Sequence, residues 1–336
     1  MTLPFASVAL RRSSSHLYAG VRSFSNSASR DASWGFIGLG AMGFPMAKNL
    51  RAKIPEGDSL TVFDVSQATL EKFSVEATPT GVVIAKSPRE VVENADYIVS
   101  ALPEPKHVKA VFDEILATSL PKAPTESNRL FIDTSTIDPT TSRTVAKLVK
   151  EKAGATFVDA PMSGGVVGAA AGTLTFMIGA EKEDVPAVEK IMLLMGRKVW
   201  HMGPQGTGLS GKLANNYALA INNIAAAEAM NLGMKWGIEG KALADLINSA
   251  TGKSWPSEVN NPVPGVIPTA PSSRDYQGGF GISLMNKDLR LAITAASEAD
   301  AKLVLAQKAK EVYDDAEKTY KGKDFSVVYR WLGGKE

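Results

Sequence analysis

The chain has 336 residues, 44% of them hydrophobic, with 37 basic against 35 acidic side chains and no cysteine. That length supports one large or two ordinary domains, and the charge balance gives no electrostatic ground for nucleic acid or a membrane surface as the main partner. Without cysteine there are no disulfides, thiolate metal sites or cysteine nucleophile, and three scattered histidines (His16, His107, His201) argue against a metal centre. No apolar run approaches the roughly 18–20 residues of a membrane-spanning helix, so a soluble globular protein is expected.

Residues 1–30 carry Arg11, Arg12, Arg22 and Arg30, eight serines and no acid. Such a composition is that of a mitochondrial or plastid transit peptide, with a disordered tail as the plainer alternative. Arg22-Ser23-Phe24-Ser25 looks like a matrix-protease cleavage region, so removal near residues 24–33 and a mitochondrial-matrix location are expected. From Trp34 to about Gly203 short apolar runs alternate with helical patterns. Strands are predicted at Trp34–Ile37, Leu60–Phe63, Tyr97–Ser100, Leu130–Ile132, Thr156–Val158, Leu174–Ile178 and Lys198–Trp200. Repeated βα units of this kind predict an α/β Rossmann domain over 33–203 with a doubly wound, mainly parallel sheet. Beyond Gly203-Pro204 the texture changes to helix, over Leu209–Trp236, Gly240–Ser249, Met285–Ala299 and Val304–Lys318. These imply an all-α domain over 204–333, interrupted by a Pro/Gly/Asn-rich stretch from Ser254 to Gly281 that is too rich in turn signals for a linker.

Gly38-Leu39-Gly40-Ala41-Met42-Gly43 is a G-x-G-x-x-G directly after the first strand and before a helical pattern. Alone the motif is weak; this context makes it a dinucleotide cradle. The first glycine makes the tight turn, the second admits a pyrophosphate and the third lets helix and strand pack closely. Asp64, 21 residues beyond Gly43 at the end of the next strand, is placed to hydrogen-bond the adenosine ribose. Its charge repels a 2′-phosphate and no arginine follows closely, so the expected cofactor is NAD rather than NADP. Leu102-Pro103 and Thr134-Ser135-Thr136 follow later strands, where a cofactor's other half would lie; by themselves they are ordinary turn and cap chemistry.

Lys212 is the only charged residue between Gly206 and Ala227. A helical lysine is usually a solvated one, but here Ala, Leu, Ile, Gly and Asn surround it. Burial would lower its pKa toward the range of a general base. Asn216, one turn on, shares its face. Asp159-Ala160-Pro161-Met162-Ser163-Gly164-Gly165 reads either as an anion-binding nest for a carboxylate or as a flexible loop. Lys287-Asp288, on a predicted helix, reads by itself as a surface pair.

Taken in order, Phe36–Gly43, Asp159–Gly165, Gly211-Lys212-Leu213-Ala214-Asn215-Asn216 and Leu284–Leu289 resemble four blocks of the β-hydroxyacid dehydrogenase family, and the resemblance runs from about Trp34 to the C-terminus. It implies that Lys212 is the catalytic lysine, Asn216 the assisting asparagine, and Ser163, Gly164 and Gly165 the substrate-carboxylate loop. Leu102, Pro103, Thr136 and Lys287 match cofactor contacts. His107 stands where relatives often have asparagine, and Met162 where valine is frequent. Asn261–Gly265, Tyr276–Phe280 and Lys323–Ser326 look like the branch that oxidises 3-hydroxyisobutyrate to methylmalonate semialdehyde with NAD. Branches that reduce tartronate, glyoxylate or succinate semialdehyde, or an inactive dinucleotide-binding scaffold, are the alternatives. The partners expected are a small hydroxyacid and further copies of this chain, as homodimer or homotetramer, because so long an apolar helix needs burial on more than one side.

Overall fold

The computed structural model describes residues 32–77, 81–125 and 128–335; the expected transit peptide lies outside the described residues. Strand β1 (Ser33–Ile37) feeds the Gly-rich turn and α1 (Gly43–Lys53). There follow β2 (Ser59–Phe63), α2 (Gln67–Glu76), β3 (Val82–Ile84), α3 (Pro88–Glu93), β4 (Tyr97–Ser100) and α4 (Pro105–Ile115). Next come β5 (Leu130–Asp133), α5 (Pro139–Ala153) and β6 (Thr156–Asp159). These six strands pair in parallel in the order β3-β2-β1-β4-β5-β6. Beyond β6 lie β7 (Met162–Ser163), α6 (Gly165–Ala171), β8 (Leu174–Gly179), α7 (Val185–Met192) and β9 (Gly196–Gly203). Here β8 runs antiparallel to β6 and β7, meeting β6 at Asp159 and Gly179, and parallel to β9.

Period-two alternation explains the double winding. Phe36, Val99, Ile132 and Val158 point to the face covered by Met46 and Leu50 of α1. Their neighbours Ile37, Ile98, Phe131 and Phe157 point to the other face, where Val108, Phe112 and Ile115 of α4 and Val145 and Val149 of α5 cover them. Phe112 meets Phe131 and Phe157 edge-on, with ring centroids 5.5 and 5.1 Å apart. The chain winds outward in opposite directions from β1 and β4, so the crevice between their C-terminal ends is the topological switch point where such folds take ligands.

Helix α8 (Thr207–Lys235) comes next, 29 residues and about 43 Å long at 1.5 Å per residue. Its first turn packs on the sheet through Leu209. Further along, Ala220, Ala227 and Met230 enter a second core with Met285, Leu289 and Tyr313. Around α8 are α9 (Gly240–Ser249), α10 (Trp255–Glu258), α11 (Ile282–Glu298), α12 (Ala306–Tyr320) and α13 (Val328–Trp331). The result is the doubly wound parallel sheet followed by an all-helical region that the sequence pattern predicts. The stretch from Ser254 to Gly281 is fixed by Val263 and Tyr276, which enter this second core, and by hydrogen bonds. Asn260 Nδ2 and Phe280 N donate to the two carboxylate oxygens of Asp324 at 3.0 and 2.7 Å, and the Tyr276 hydroxyl donates to Pro262 O at 2.8 Å. Among the described residues no helix is long and apolar enough to cross a membrane, and no group of three His, Cys, Asp or Glu side chains could hold a metal ion.

Candidate active site

Each glycine of the Gly-rich turn answers a different constraint. Gly38 has φ +95°, and a Cβ there would lie 2.4 Å from Ala101 O and 3.2 Å from a Leu102 methyl. On Gly43 a Cβ would lie 1.9 Å from Gly38 O, so α1 can begin this close to β1 only without one. Around Gly40 a Cβ would meet nothing within 4 Å. No contact of the protein requires that glycine; the space it leaves opens on the crevice, beside the exposed Gly40 and Ala41 and the half-buried Met42, and fits the close approach of a pyrophosphate. Asp64 closes the turn from the other side. One of its carboxylate oxygens accepts Leu39 N at 2.6 Å and the other accepts Ser66 N at 2.8 Å.

Across the crevice, Leu102 N donates to Ser135 Oγ at 2.8 Å, and Ser135 in turn donates to Asp133 Oδ1 at 2.6 Å. Ser100 Oγ donates to the same Asp133 oxygen at 2.8 Å. The carboxyl of Asp133, fully buried, is pushed above the usual carboxylate range by that burial. Thr136, next to Ser135, is half-buried at the rim. His107 sits in the first turn of α4, with a buried Nδ1 that has no partner among the described residues. Pro103 O accepts the Lys287 amine at 2.5 Å, which ties α11 to the end of β4.

Lys287 leads to the ionisable core of the site. It is half-buried, and the adjacent Asp288 is only 4% exposed, so this is not the surface pair that the two residues alone suggest. The structure turns Asp288 inward because the apolar stripe of α11 (Met285, Leu289, Ala292) faces α8 and carries position 288 with it. Asn216 Nδ2 donates to Asp288 Oδ2 at 2.6 Å. Lys212, 7% exposed, lies on the same face of α8. Among the described residues it has no hydrogen bond and no ion pair within 4.0 Å. Burial pushes its amine below the usual lysine range; attraction to Asp288 opposes the shift and Lys287 adds to it. Asp288 is pushed up by burial against the pull of both lysines.

The expected carboxylate loop forms the turn from β7 into α6. Gly164 and Gly165 have φ of +135° and +61°, Gly164 is exposed, and Ser163 and Gly165 are half-buried. The Ser163 hydroxyl has no partner among the described residues. Among the described residues no hydrogen bond joins this loop to Lys212, whereas Asp64 is bonded to Leu39, and Pro103 is joined through Lys287 and the adjacent Asp288 to Asn216. A groove of about 440 Å³ between α5, α8 and α11 is lined by Leu213, Ala214 and Tyr217 and holds neither Lys212 nor Asn216. Sequence reasoning missed Asp288, Asp133 and Asp159 as individual actors. The signal available for the two strand aspartates was a carboxylate ending an otherwise apolar strand.

The chain is similar to known proteins over nearly all of its described residues. Residues 33–203 match the family model described as the NAD binding domain of 6-phosphogluconate dehydrogenase, and 206–332 that described as NAD-binding of NADP-dependent 3-hydroxyisobutyrate dehydrogenase. The probable mitochondrial 3-hydroxyisobutyrate dehydrogenase of Dictyostelium discoideum is 43% identical over 320 residues, 94% of this chain and 95% of its own. The mitochondrial 3-hydroxyisobutyrate dehydrogenase of Homo sapiens is 42% identical over 303 residues, 90% of this chain and 87% of its own. Among solved structures, the 3-hydroxyisobutyrate dehydrogenase of Mycobacterium tuberculosis with L-serine is 36% identical, with a TM-score of 0.82 over 90% of this chain and 99% of that one. By sequence over nearly its whole described length, and by fold, the chain belongs to the 3-hydroxyisobutyrate dehydrogenase family.

Proposed function

We propose that the chain oxidises 3-hydroxyisobutyrate to methylmalonate semialdehyde, with Lys212 as general base and NAD as cofactor. The observation that carries the reading is a buried lysine amine with no ion-pair partner among the described residues, on a helix linked through Asp288 and Lys287 of α11 to a dinucleotide crevice. The cofactor would be held by Gly38, Leu39, Gly40, Ala41, Met42 and Gly43 at its phosphates, by Asp64 at its adenosine ribose, and by Leu102, Pro103, Thr136 and Lys287 toward its other end. When bound there, it supplies the acceptor for the hydride of the carbinol carbon.

This chain's own residues do the rest. Ser163, Gly164 and Gly165 offer a free hydroxyl and backbone N–H groups to the substrate carboxylate. Neutral Lys212 accepts the hydroxyl proton at Nζ. Asn216 Nδ2 carries two hydrogens, of which Asp288 holds one; the other is available to the substrate oxygen. The packing of α8 against α11 keeps Lys212, Asn216 and Asp288 out of bulk water, which holds their orientation.

Residues 33–203 then serve as the nucleotide-binding domain and 204–333 as the substrate and oligomerisation domain. Self-association as homodimer or homotetramer is supported by an exposed apolar stripe on α8 through Ala218, Ala225 and Leu232, continued by Trp236 just past the helix, 73% exposed. The relatives are named mitochondrial, and with the composition of residues 1–30 this supports a mitochondrial location, in the matrix.

The test is NADH formation by the purified protein from 3-hydroxyisobutyrate, L-serine, glycerate and 4-hydroxybutyrate, with NAD and NADP in parallel. Strong preference for 3-hydroxyisobutyrate with NAD is expected. Preference for another hydroxyacid moves the chain to a sister branch, and NADH binding without turnover on any substrate refutes the enzymatic reading.

A further inference from the structure

Asp159 ends β6 fully buried, and no step above uses it. Its carboxylate reaches from the sheet to the start of α8, where Oδ1 accepts Gly206 N at 2.6 Å and Oδ2 accepts Leu209 N at 2.8 Å. Gly206 caps the helix and Leu209 is its third residue. A capping residue's own side chain normally satisfies such N–H groups. Gly206 has none, and a carboxylate 47 positions earlier in the chain takes its place.

The contact is built to be close. A Cβ on Gly179 of β8 would lie 2.3 Å from Asp159 Oδ1, and a Cβ on Gly208 would lie 2.8 Å from Oδ2 and 2.3 Å from Met177 O. Sheet, carboxylate and helix therefore stack without room for a side chain. Gly208 and Leu209 are four and three residues before Lys212, so the gripped turn lies on the lysine's own face of the helix.

We propose that Asp159 is a positioning residue for proton transfer: by gripping the first turn of α8 it fixes the rotation and depth of that helix over the sheet, and so the seat of the Lys212 amine. This rests on the reading of Lys212 as the base. The charged groups facing Asp159 are few. Asp133, its register partner on β5, is buried beside it. Arg143 of α5 packs against Gly206 and donates to Gln205 O at 3.3 Å. Neither Gly179 nor the first turn of α8 carries charge. Burial, with a lesser push from Asp133, raises Asp159 to about 6 against the pull of the Gly206, Leu209 and its own backbone N–H groups.

The experiment compares the full chain with Asp159→Asn, whose amide offers one oxygen to two N–H groups, and with Gly208→Ala, which presses the same turn off the sheet and leaves the carboxylate in place. Both variants are expected to lose about tenfold or more in kcat, with KM for the hydroxyacid and the NADH dissociation constant changing by less than about threefold. A purely structural role would lower the melting temperature and leave kcat within about twofold, or lower kcat and NADH affinity together; either result overturns the proposal. Should Asp159→Asn fail to fold, unchanged kcat in Gly208→Ala overturns it instead. Failure of the base reading is separable, because turnover retained by a Lys212 variant refutes the base without altering what Asp159→Asn and Gly208→Ala do to kcat and KM.

Discussion

Replacing Lys212 by methionine isolates the proton transfer. Methionine keeps most of the unbranched stem, so the packing of α8 against α11 and the Asn216 to Asp288 bond persist, and only the amine is lost. Lys212 makes no hydrogen bond or ion pair among the described residues, and the expected cofactor contacts come from β1, β2, β4 and β5 with their following turns and from Lys287. No binding contact to the dinucleotide therefore depends on the amine. Loss of a positioned general base lowers rate by about 10²–10⁴, equivalent to about 2.7–5.4 kcal/mol of transition-state stabilisation. The assay is steady-state NADH formation alongside a fluorescence titration with NADH: kcat should fall at least about a hundredfold while the NADH dissociation constant stays within about twofold. Turnover within about tenfold of the unmodified chain, or a parallel loss of NADH affinity, refutes the assignment.

Three further outcomes follow from the same geometry. Gly43→Ala, whose Cβ would lie 1.9 Å from Gly38 O, should lose about 1–3 kcal/mol or more in thermal denaturation; Gly40→Ala, with nothing within 4 Å, should keep its stability within about 0.5 kcal/mol yet bind NADH at least about tenfold more weakly. Equal effects of the two on stability would contradict the division between packing and ligand glycines. Asp288→Asn keeps an acceptor for Asn216 but removes the charge that favours the Lys212 ammonium. The rise of kcat with pH, as the lysine loses its proton, should accordingly move to lower pH; a move upward contradicts the coupling. Asp64→Asn leaves an oxygen for Leu39 N and removes the charge facing a 2′-phosphate, so the ratio of kcat/KM with NAD to that with NADP should fall by about tenfold or more, and an unchanged ratio would take the specificity away from Asp64.

The elements that the sequence revealed were those whose pattern is set locally. Alternating Phe36/Ile37, Ile98/Val99 and Phe131/Ile132 marks strands buried on both faces, and α9 begins and ends where the periodicity places it, at Gly240 and Ser249. What it hid depends on distant partners. The strand β3 is three residues long and largely exposed, and β7 is two residues held by β8; neither is long enough to show a period. Likewise α10 depends on the Ser254 capping box and α13 on the core around Tyr313 and Phe325. At the site, Lys212 was legible because it stands alone among apolar residues. Asp288 was not, since a Lys-Asp pair on a helix has no local sign of burial, and only the packing of α11 on α8 turns it inward.

That inward turn explains how a lysine at this depth can serve as a base. A buried carboxylate within ion-pair distance would hold the ammonium strongly and keep Lys212 protonated, useless for accepting a proton at neutral pH. Without any carboxylate, burial would drive the amine so far down that it could not keep the proton it receives. The structure takes an intermediate course: Asp288 is near enough to oppose the desolvation of Lys212, but its direct hydrogen bond is with Asn216 rather than with the lysine. One carboxylate thereby orients the group that would hold the substrate oxygen and tempers the group that would take its proton. The two roles compete, because moving Asp288 toward Lys212 would weaken its bond to Asn216, and the 2.6 Å contact with Asn216 is what keeps the lysine free.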